Sequence, residues 1–548
     1  MRFRMVCISS AILAAALASA GEMPNLAANP GFEAAAAEST LPAQWSGDTN
    51  VYSRDATVAR SGEASLKFQN ADAGRYVLCG QPIELEAGAR YEISAWVKTE
   101  NIEGNESGAT LCIEYRNQEG QYLGGAYPAG ITGTRDWTLV QGVTQRIPEE
   151  KTGPCSLACY VRQGMTGTAW WDDVSVRRFR EGPISTVLKS PNYRNEITRD
   201  GPRDVVVFVE LNLRDYGLEL DDVALRYAAY PEGADQPVLS EQMDAIRTPS
   251  FDISLRGRKF DEGANRIEVA LVEKSTGETL AAETLRVTRL AERATRTVDI
   301  DEHNRLVVDG RPFFPLGMYW SGISQEQLDL YADSAFNCLM PYGMPTQEQM
   351  DMAQARGLKV IYSVKDIYHD TTYCPDFITS RDDETPFIRG KVEAFREHPA
   401  LLAWYLNDEL PLSMLDRLAA RRELLEELDP GHPTWVVLYQ VDEVRQYLPS
   451  FHAIGTDPYP IPARPVALAG QWTRKTVDGV CGARPVWMVP QVFNWANYKK
   501  TPEEKAQHRA PTLDEMRSMA WQCIAEGANG LVFYSWFDLH KDAATPFD

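Results

Sequence analysis

The sequence predicts a multidomain chain in which two successive β-sandwiches precede an α/β barrel. Three observations carry that prediction. Short alternating apolar runs, broken by Gly, Asn and Pro turns, fill the first half. From about residue 295 the rhythm changes to short apolar strands alternating with helical segments. A length of 548 residues leaves room for several domains, at roughly 100–200 residues each.

Residues 24–178 read as an all-β jelly-roll sandwich, with Tyr91–Val97, Thr110–Tyr115 and Ser156–Val161 as its clearest strands. Residues 179–291 read as an immunoglobulin-like or fibronectin-like β-sandwich, with strands at Asp204–Glu210 and Arg266–Val272. That segment shows no chemical constellation and reads as a spacer. Residues 295–548 read as a TIM (β/α)8 barrel. Its expected strands are Phe313–Tyr319, Asn337–Pro341, Leu358–Val364, Leu401–Leu406, Thr434–Leu438, Ala453–Asp457, Val486–Gln491 and Gly530–Trp536. Its expected helices are Gln325–Ser334, Gln347–Arg356, Pro386–His398, Ser413–Leu428 and Thr512–Glu526. That many strands suit the about 250 residues of such a barrel. A doubly wound sheet would show a Gly-rich first turn, and Tyr319-Trp320-Ser321-Gly322 is not one. The sequence stops soon after the eighth strand, so the last helix is expected to be short or missing, as in a fragment.

Composition narrows the function. Hydrophobic residues are 44% and charged residues 24%, the balance of an ordinary folded protein with large cores. The formal net charge of −22 repels a phosphate backbone and argues against nucleic acid. Neutral glycans are indifferent to it, and no basic run offers a local site for a very anionic polysaccharide. Residues 1–20 read as a signal peptide: Arg2 and Arg4, an apolar run from Met5 to Leu17, then Ala18-Ser19-Ala20. No later run reaches the ~20 apolar residues of a membrane span, so the expectation is a secreted or periplasmic protein. Of nine cysteines, Cys7 lies in the leader. The other spacings are scattered and complete no zinc pattern, leaving core thiols or occasional disulfides.

In the front module, Asn25-Leu26, Asn29-Pro30-Gly31-Phe32-Glu33, Ser61-Gly62-Glu63-Ala64-Ser65-Leu66-Lys67-Phe68 and Trp170-Trp171-Asp172-Asp173-Val174 follow one another in a characteristic order. They resemble the carbohydrate-binding-module sandwiches related to families four, nine and twenty-two. Aromatic faces suit the apolar C–H faces of sugar rings. Trp45, Tyr52, Tyr76, Tyr115, Tyr122 and Tyr127 are the candidates, most of them expected in the core. Tyr122 and Tyr127, flanking Gly124-Gly125 on a loop, are the expected sugar contacts. The resemblance also implies a structural calcium held by Glu33 and Asp173.

In the barrel, working residues belong at the C-terminal strand ends. Those ends carry Tyr319-Trp320, Lys365-Asp366, Asn407-Asp408-Glu409, Asp457-Pro458-Tyr459, Gln491 and Tyr534-Ser535-Trp536. Carboxyls beside aromatics suit glycoside hydrolysis, in which one acid protonates the leaving oxygen. His398-Pro-Ala-Leu-Leu-Ala-Trp-Tyr405 leading into Asn-Asp-Glu, with Val307–Met318 and Ala525–Gly530, resembles clan A glycoside hydrolases. The resemblance implies Glu409 as general acid/base, with no catalytic cofactor. This chain departs from the clan twice. Asp408 precedes the acid where the clan has asparagine, and Gln491 stands where the clan has its nucleophilic glutamate. Asp457 is the nominated substitute, as base or nucleophile, and Asp408 completes the catalytic set. Tyr319, Trp320, Asn407, Tyr459, Gln491 and Trp536 are the expected substrate contacts. Lys365, His369 and Asp370 could hydrogen-bond sugar hydroxyls, and His452 and His540 are candidate bases.

The expected function is an exported glycoside hydrolase-like protein acting on a polysaccharide or oligosaccharide. The alternative is a carbohydrate-binding protein with a degenerate barrel, and a third reading is a surface-assembly protein.

Overall fold

The structure, a computed structural model, describes residues 23–104, 106–148, 153–198 and 204–540. The leader expected at 1–20 lies outside the described residues. The chain forms two compact units, Met1–Gly182 and Pro183–Asp548. No described helix is long and apolar enough to cross a membrane.

The first unit is built from antiparallel strands in two sheets. One orders Tyr52–Asp55, Ser65–Asn70, Thr166–Phe179, Arg90–Glu103 and Gly133–Val143; the other orders Cys79–Ile83, Cys155–Val161, Ala109–Arg116 and Tyr122–Ala126. Period-two alternation directs Tyr91, Ile93, Ala95 and Val97 into one core with Leu111, Ile113, Leu157 and Trp171. Trp171 belongs to the first sheet, and its buried indole N–H donates to the Thr110 carbonyl of the second at 2.9 Å. That bond satisfies a donor that burial would otherwise penalise. Trp45, Tyr52 and Tyr115 are core residues, while Tyr76, Tyr122 and Tyr127 are exposed. Among the described residues Cys79, Cys112, Cys159, Cys338 and Cys523 are buried free thiols, Cys374 and Cys481 are half-buried ones, and Cys155 is buried.

The second unit opens with a sheet of Ile184–Ser190, Asp204–Leu211 and Ser250–Arg256 and another of five strands from Glu196–Thr198 to Leu239–Met243. Val205, Val207 and Val209 point into their shared core. Eight parallel strands follow: β1 (Leu316–Trp320), β2 (Cys338–Pro341), β3 (Lys359–Ser363), β4 (Leu401–Asp408), β5 (Thr434–Leu438), β6 (Ala453–Thr456), β7 (Trp487–Met488) and β8 (Gly530–Phe533). Each hydrogen-bonds to its neighbours in the order β6-β5-β4-β3-β2-β1-β8-β7. A parallel bridge between Ile454 and Val486 joins β6 to β7 and closes the barrel. Gly455 permits that closure, because a Cβ there would run into the carbonyl oxygen of Trp487.

Alternation sorts the strand residues. Tyr319, Ile361, Tyr405, Trp435, Val437 and Val489 fill the interior, together with Val298, Ile300, Leu306 and Val308 of a small sheet preceding the barrel. Trp320, Tyr362, Trp404, Leu406 and Val436 face outward, into the layer between strands and helices. The helices are α1 (Gln325–Ala332), α2 (Gln347–Gln354), α3 (Arg381–Phe395), α4 (Leu415–Leu428), α5 (Leu468–Gly479), the short α6 (Pro502–Lys505) and α7 (Leu513–Ala525). Helix α3 starts earlier than expected. Ser380 and Asp383 form a capping box that begins the helix, and Pro386 is carried inside it. Helix α5 was not expected, since Gly470 and Gly479 weaken its helical signal.

Candidate active site

The C-terminal end of β4 breaks the alternation, and the break builds the site. The pairing of β4 with β5 slips between Tyr405 and Asn407, leaving Leu406 as a bulge. Tyr405 and Asp408 therefore both face inward, and the Tyr405 hydroxyl donates to Asp408 Oδ1 at 2.6 Å. Glu409 then adopts a left-handed backbone, φ 60°. Such a conformation costs a non-glycine residue roughly 1–2 kcal/mol and needs surrounding bonds to hold it. The Glu409 N–H donates to the Val437 carbonyl at 2.9 Å. The buried Asn407 Oδ1 accepts from the Leu410 N–H at 2.9 Å and ties the turn. Two acids adjacent in sequence thus reach one cavity.

Asp457, directly after β6, brings a third carboxyl. It is buried, and its carboxyl hydrogen-bonds to that of Glu409. Two carboxyls in contact cannot both be ionised, so the pair keeps one proton. Burial pushes Asp457 well above the ordinary carboxyl range, and the Glu409 charge and hydrogen bond add to that. Burial also raises Glu409; the bond from Asp457 opposes the rise, Asp408 adds to it and Lys365 opposes it. Asp457 holds the proton and Glu409, open to the cavity, receives its hydrogen bond. Asp457 Oδ1 has no other partner among the described residues.

Asp408 is held differently. The Lys365 ammonium lies 3.3 Å from Asp408 Oδ2 and 2.8 Å from Asp366 Oδ1. Burial draws the Lys365 pKa down, but the charges of Asp408 and Asp366 outweigh it and the net shift is upward. Lys365 therefore stays cationic beside Asp408.

These groups lie in a cavity of about 570 Å³ whose wall is largely aromatic: Tyr319, Tyr342, Tyr439, Tyr459, Phe493, Trp495, Tyr498 and Tyr534. The rings brace one another, with Tyr459 and Phe493 5.0 Å apart and Phe493 and Trp495 4.9 Å apart between centroids. Such a bowl of flat amphipathic faces with carboxyls at its base suits a sugar ring.

Tyr319 and Tyr459 line the cavity where the sequence put them, beside Asp408, Glu409 and Asp457. Four expected substrate contacts do not. Trp320 and Trp536 stack on each other at 5.4 Å outside the barrel, packed against Tyr331. Tyr319 faces inward, so the next residue must face outward, and Tyr534 supplies the ring at the end of β8. Gln491 is fully buried: its amide accepts from the Ile461 N–H at 2.8 Å and donates to the carbonyls of Ile461 at 2.9 Å and Phe493 at 3.1 Å. It is a backbone clamp, as Asn407 is a turn tie. His452 is buried, bonded to Thr434 and beside Glu426, and burial drags its pKa down to about 3. It is not a base of this cavity.

Several cavity residues escaped the sequence reading. Tyr342 and Tyr439 each follow a strand directly, after β2 and β5, so the strand-end rule that found Tyr319 also reaches them. Trp495, Tyr498, Arg464, Lys499 and His508 come from long connections after β6 and β7, where no sequence period marks an inward side chain.

In the first unit, Tyr122 and Tyr127 stand side by side, hydroxyls 3.3 Å apart, with Tyr127 donating to Glu114 at 2.8 Å. They are 52% and 39% exposed, enough to offer a platform. Glu33 and Asp173 both flank the 60–63 turn but do not suit calcium. Glu33 accepts from the Glu63 N–H at 3.0 Å, while Asp173 takes the Arg60 guanidinium and the Ser61 hydroxyl, each at 2.6 Å. A guanidinium already fills the cation's role, and no group of three or more His, Cys, Asp or Glu converges among the described residues.

No family model matches the chain, and no curated protein matches it. Solved structures that it resembles in part include a Bacteroides uniformis beta-glucuronidase (TM-score 0.34, 12% identity, covering 84% of this chain and 59% of that one). Others are an uncultured Clostridium sp. beta-glucuronidase (TM-score 0.33, 10% identity, 84% and 81%) and a GH2 beta-galacturonidase from Eisenbergiella tayi bound to galacturonate (TM-score 0.35, 12% identity, 90% and 89%). The chain spans about three fifths of the length of the first. Likeness of this degree assigns neither a family nor a chemistry to the chain.

Proposed function

We propose that the chain is an exported glycoside hydrolase-like protein that binds a glycan in the barrel cavity and hydrolyses an O-glycosidic bond. The observation that carries this reading is the convergence of Asp408, Glu409 and Asp457 on one cavity with a largely aromatic wall. Glu409 is the general acid: the proton held by Asp457 moves to Glu409 and on to the leaving oxygen, and the proton that Asp408 removes from the attacking water restores the pair at the end of the cycle. Asp457 positions that proton. Asp408, beside the Lys365 ammonium, is the base for the attacking water. The first unit, through Tyr122 and Tyr127, holds the polysaccharide, and residues 1–20 direct export.

Turnover of a glycan panel by the wild type and by Glu409→Gln tests the reading; equal activity in the two would end it. A second reading, a carbohydrate-binding protein without turnover, is favoured by one observation: the amide at the end of β7 is locked into the backbone, away from the cavity. Glycan binding with no turnover under any condition would select it.

A further inference from the structure

The cavity that holds the acids also carries basic side chains. Arg464 lies between β6 and α5, and Lys499 and His508 lie in the connection between β7 and α7. Asp408 and Glu409 come from the end of β4, Asp457 and Arg464 share the connection after β6, and Lys499 and His508 come from the connection after β7. Among the described residues no ion pair or side-chain hydrogen bond engages Arg464, Lys499 or His508. Lys499 sits 6.0 Å from the centre of the Trp495 ring, and the buried Nδ1 of His508 has no partner. With 77 acids to 55 bases, this chain has acidic partners to spare for its cations. Cations left unpaired in a concave site stand ready for an anion from outside.

We propose that this wall receives an anionic group carried by the sugar, so that the substrate class is an acidic glycan whose ring bears a carboxylate or a sulfate ester. The inference rests on the reading of the cavity as a glycan site and fixes how the ring lies in it. An anion directed at the floor would meet Asp408 and the charge shared by Glu409 and Asp457. Directed at Arg464 and Lys499 it meets charges of the opposite sign, and the glycosidic oxygen is then presented to Glu409. A neutral sugar would leave both cations to water. The sequence shows no basic run because the patch is assembled from two separate connections.

The test is equilibrium binding to the full chain, by calorimetry, of matched monosaccharide glycosides that differ only in carrying a hydroxymethyl, a carboxylate or a sulfated hydroxymethyl group. One charge-assisted contact gives the acidic member an advantage of about tenfold or more in Kd. That advantage shrinks with added salt and disappears in Arg464→Ala/Lys499→Ala. An unchanged thermal midpoint shows that this variant is folded. Preference for the sulfated or the carboxylated member alone supports the inference and names the group. Equal affinities, a preference that survives the double substitution, or no binding by any member overturns it. Because the readout is binding, loss of turnover in Glu409→Gln leaves the acidic preference intact. Turnover of neutral sugars without that preference would overturn the inference and leave the hydrolase reading standing.

Discussion

The ends of β4 and β7 occupy equivalent places in the barrel, and both were expected to carry substrate-facing groups. At β4 a bulge and a left-handed residue turn Asp408 and Glu409 into the cavity. At β7 the same kind of position holds Gln491, whose amide is spent on the backbone of Ile461 and Phe493. A strand end can be used for chemistry or for holding its neighbour, and the side chain's partners show which. The acids at β4 lean on Asp457 and Lys365 but keep a face toward the cavity. The amide at β7 has no capacity left for a ligand.

Substitutions can sharpen that contrast. Glu409→Gln removes the donor at β4 and should lower kcat by about 10²–10⁴-fold without loss of thermal stability, read by steady-state kinetics and calorimetry. Trp320→Ala removes an outward-facing ring and should cost about 3–5 kcal/mol of stability; in folded protein, sugar affinity stays unchanged, as binding measured well below the melting temperature will show. Gln491→Ala leaves the Ile461 N–H without its acceptor and should cost about 1–3 kcal/mol in denaturant titration. A loss of activity in Gln491→Ala as large as that of Glu409→Gln would erase the distinction between the two strand ends. The smallest effect belongs to the first unit. Tyr122→Ala/Tyr127→Ala should weaken retention on an insoluble polysaccharide by about tenfold, some 1–3 kcal/mol of stacking and packing, and leave hydrolysis of a short soluble glycoside untouched.

The barrel was legible because its strands are short apolar runs between helical segments, and the expected strands coincide with the observed ones to within a few residues. Asp457 was nominated from the end of β6 as a partner acid, and it lines the same cavity as Glu409. The inward and outward assignment at the rims was less legible. Strict alternation separates Asp408 from Glu409; the bulge at Leu406 and the left-handed backbone of Glu409, which no local residue pattern announces, bring them together. Trp320 and Trp536 drew attention as rings, yet Tyr319 had already taken the inward position on β1. The cations of the cavity wall come from irregular connections, where side-chain direction is set by tertiary packing.

Asp457→Asn probes the shared proton itself. In the wild type the last proton of the pair leaves against the negative charge of its partner, so it is retained above the ordinary carboxyl range. An unfolded chain gives up both protons in that ordinary range, so the folded protein loses stability as pH rises from there toward the raised value. Asparagine removes that penalty, and Asp457→Asn should melt higher than the wild type at neutral pH. The most direct measurement is an infrared titration of carboxyl groups in the wild type and in Asp457→Asn. The account predicts two coupled carboxyls in the wild type, the last proton leaving well above the ordinary range, and a single carboxyl raised by burial alone in the variant. Identical titrations in the two proteins would contradict it.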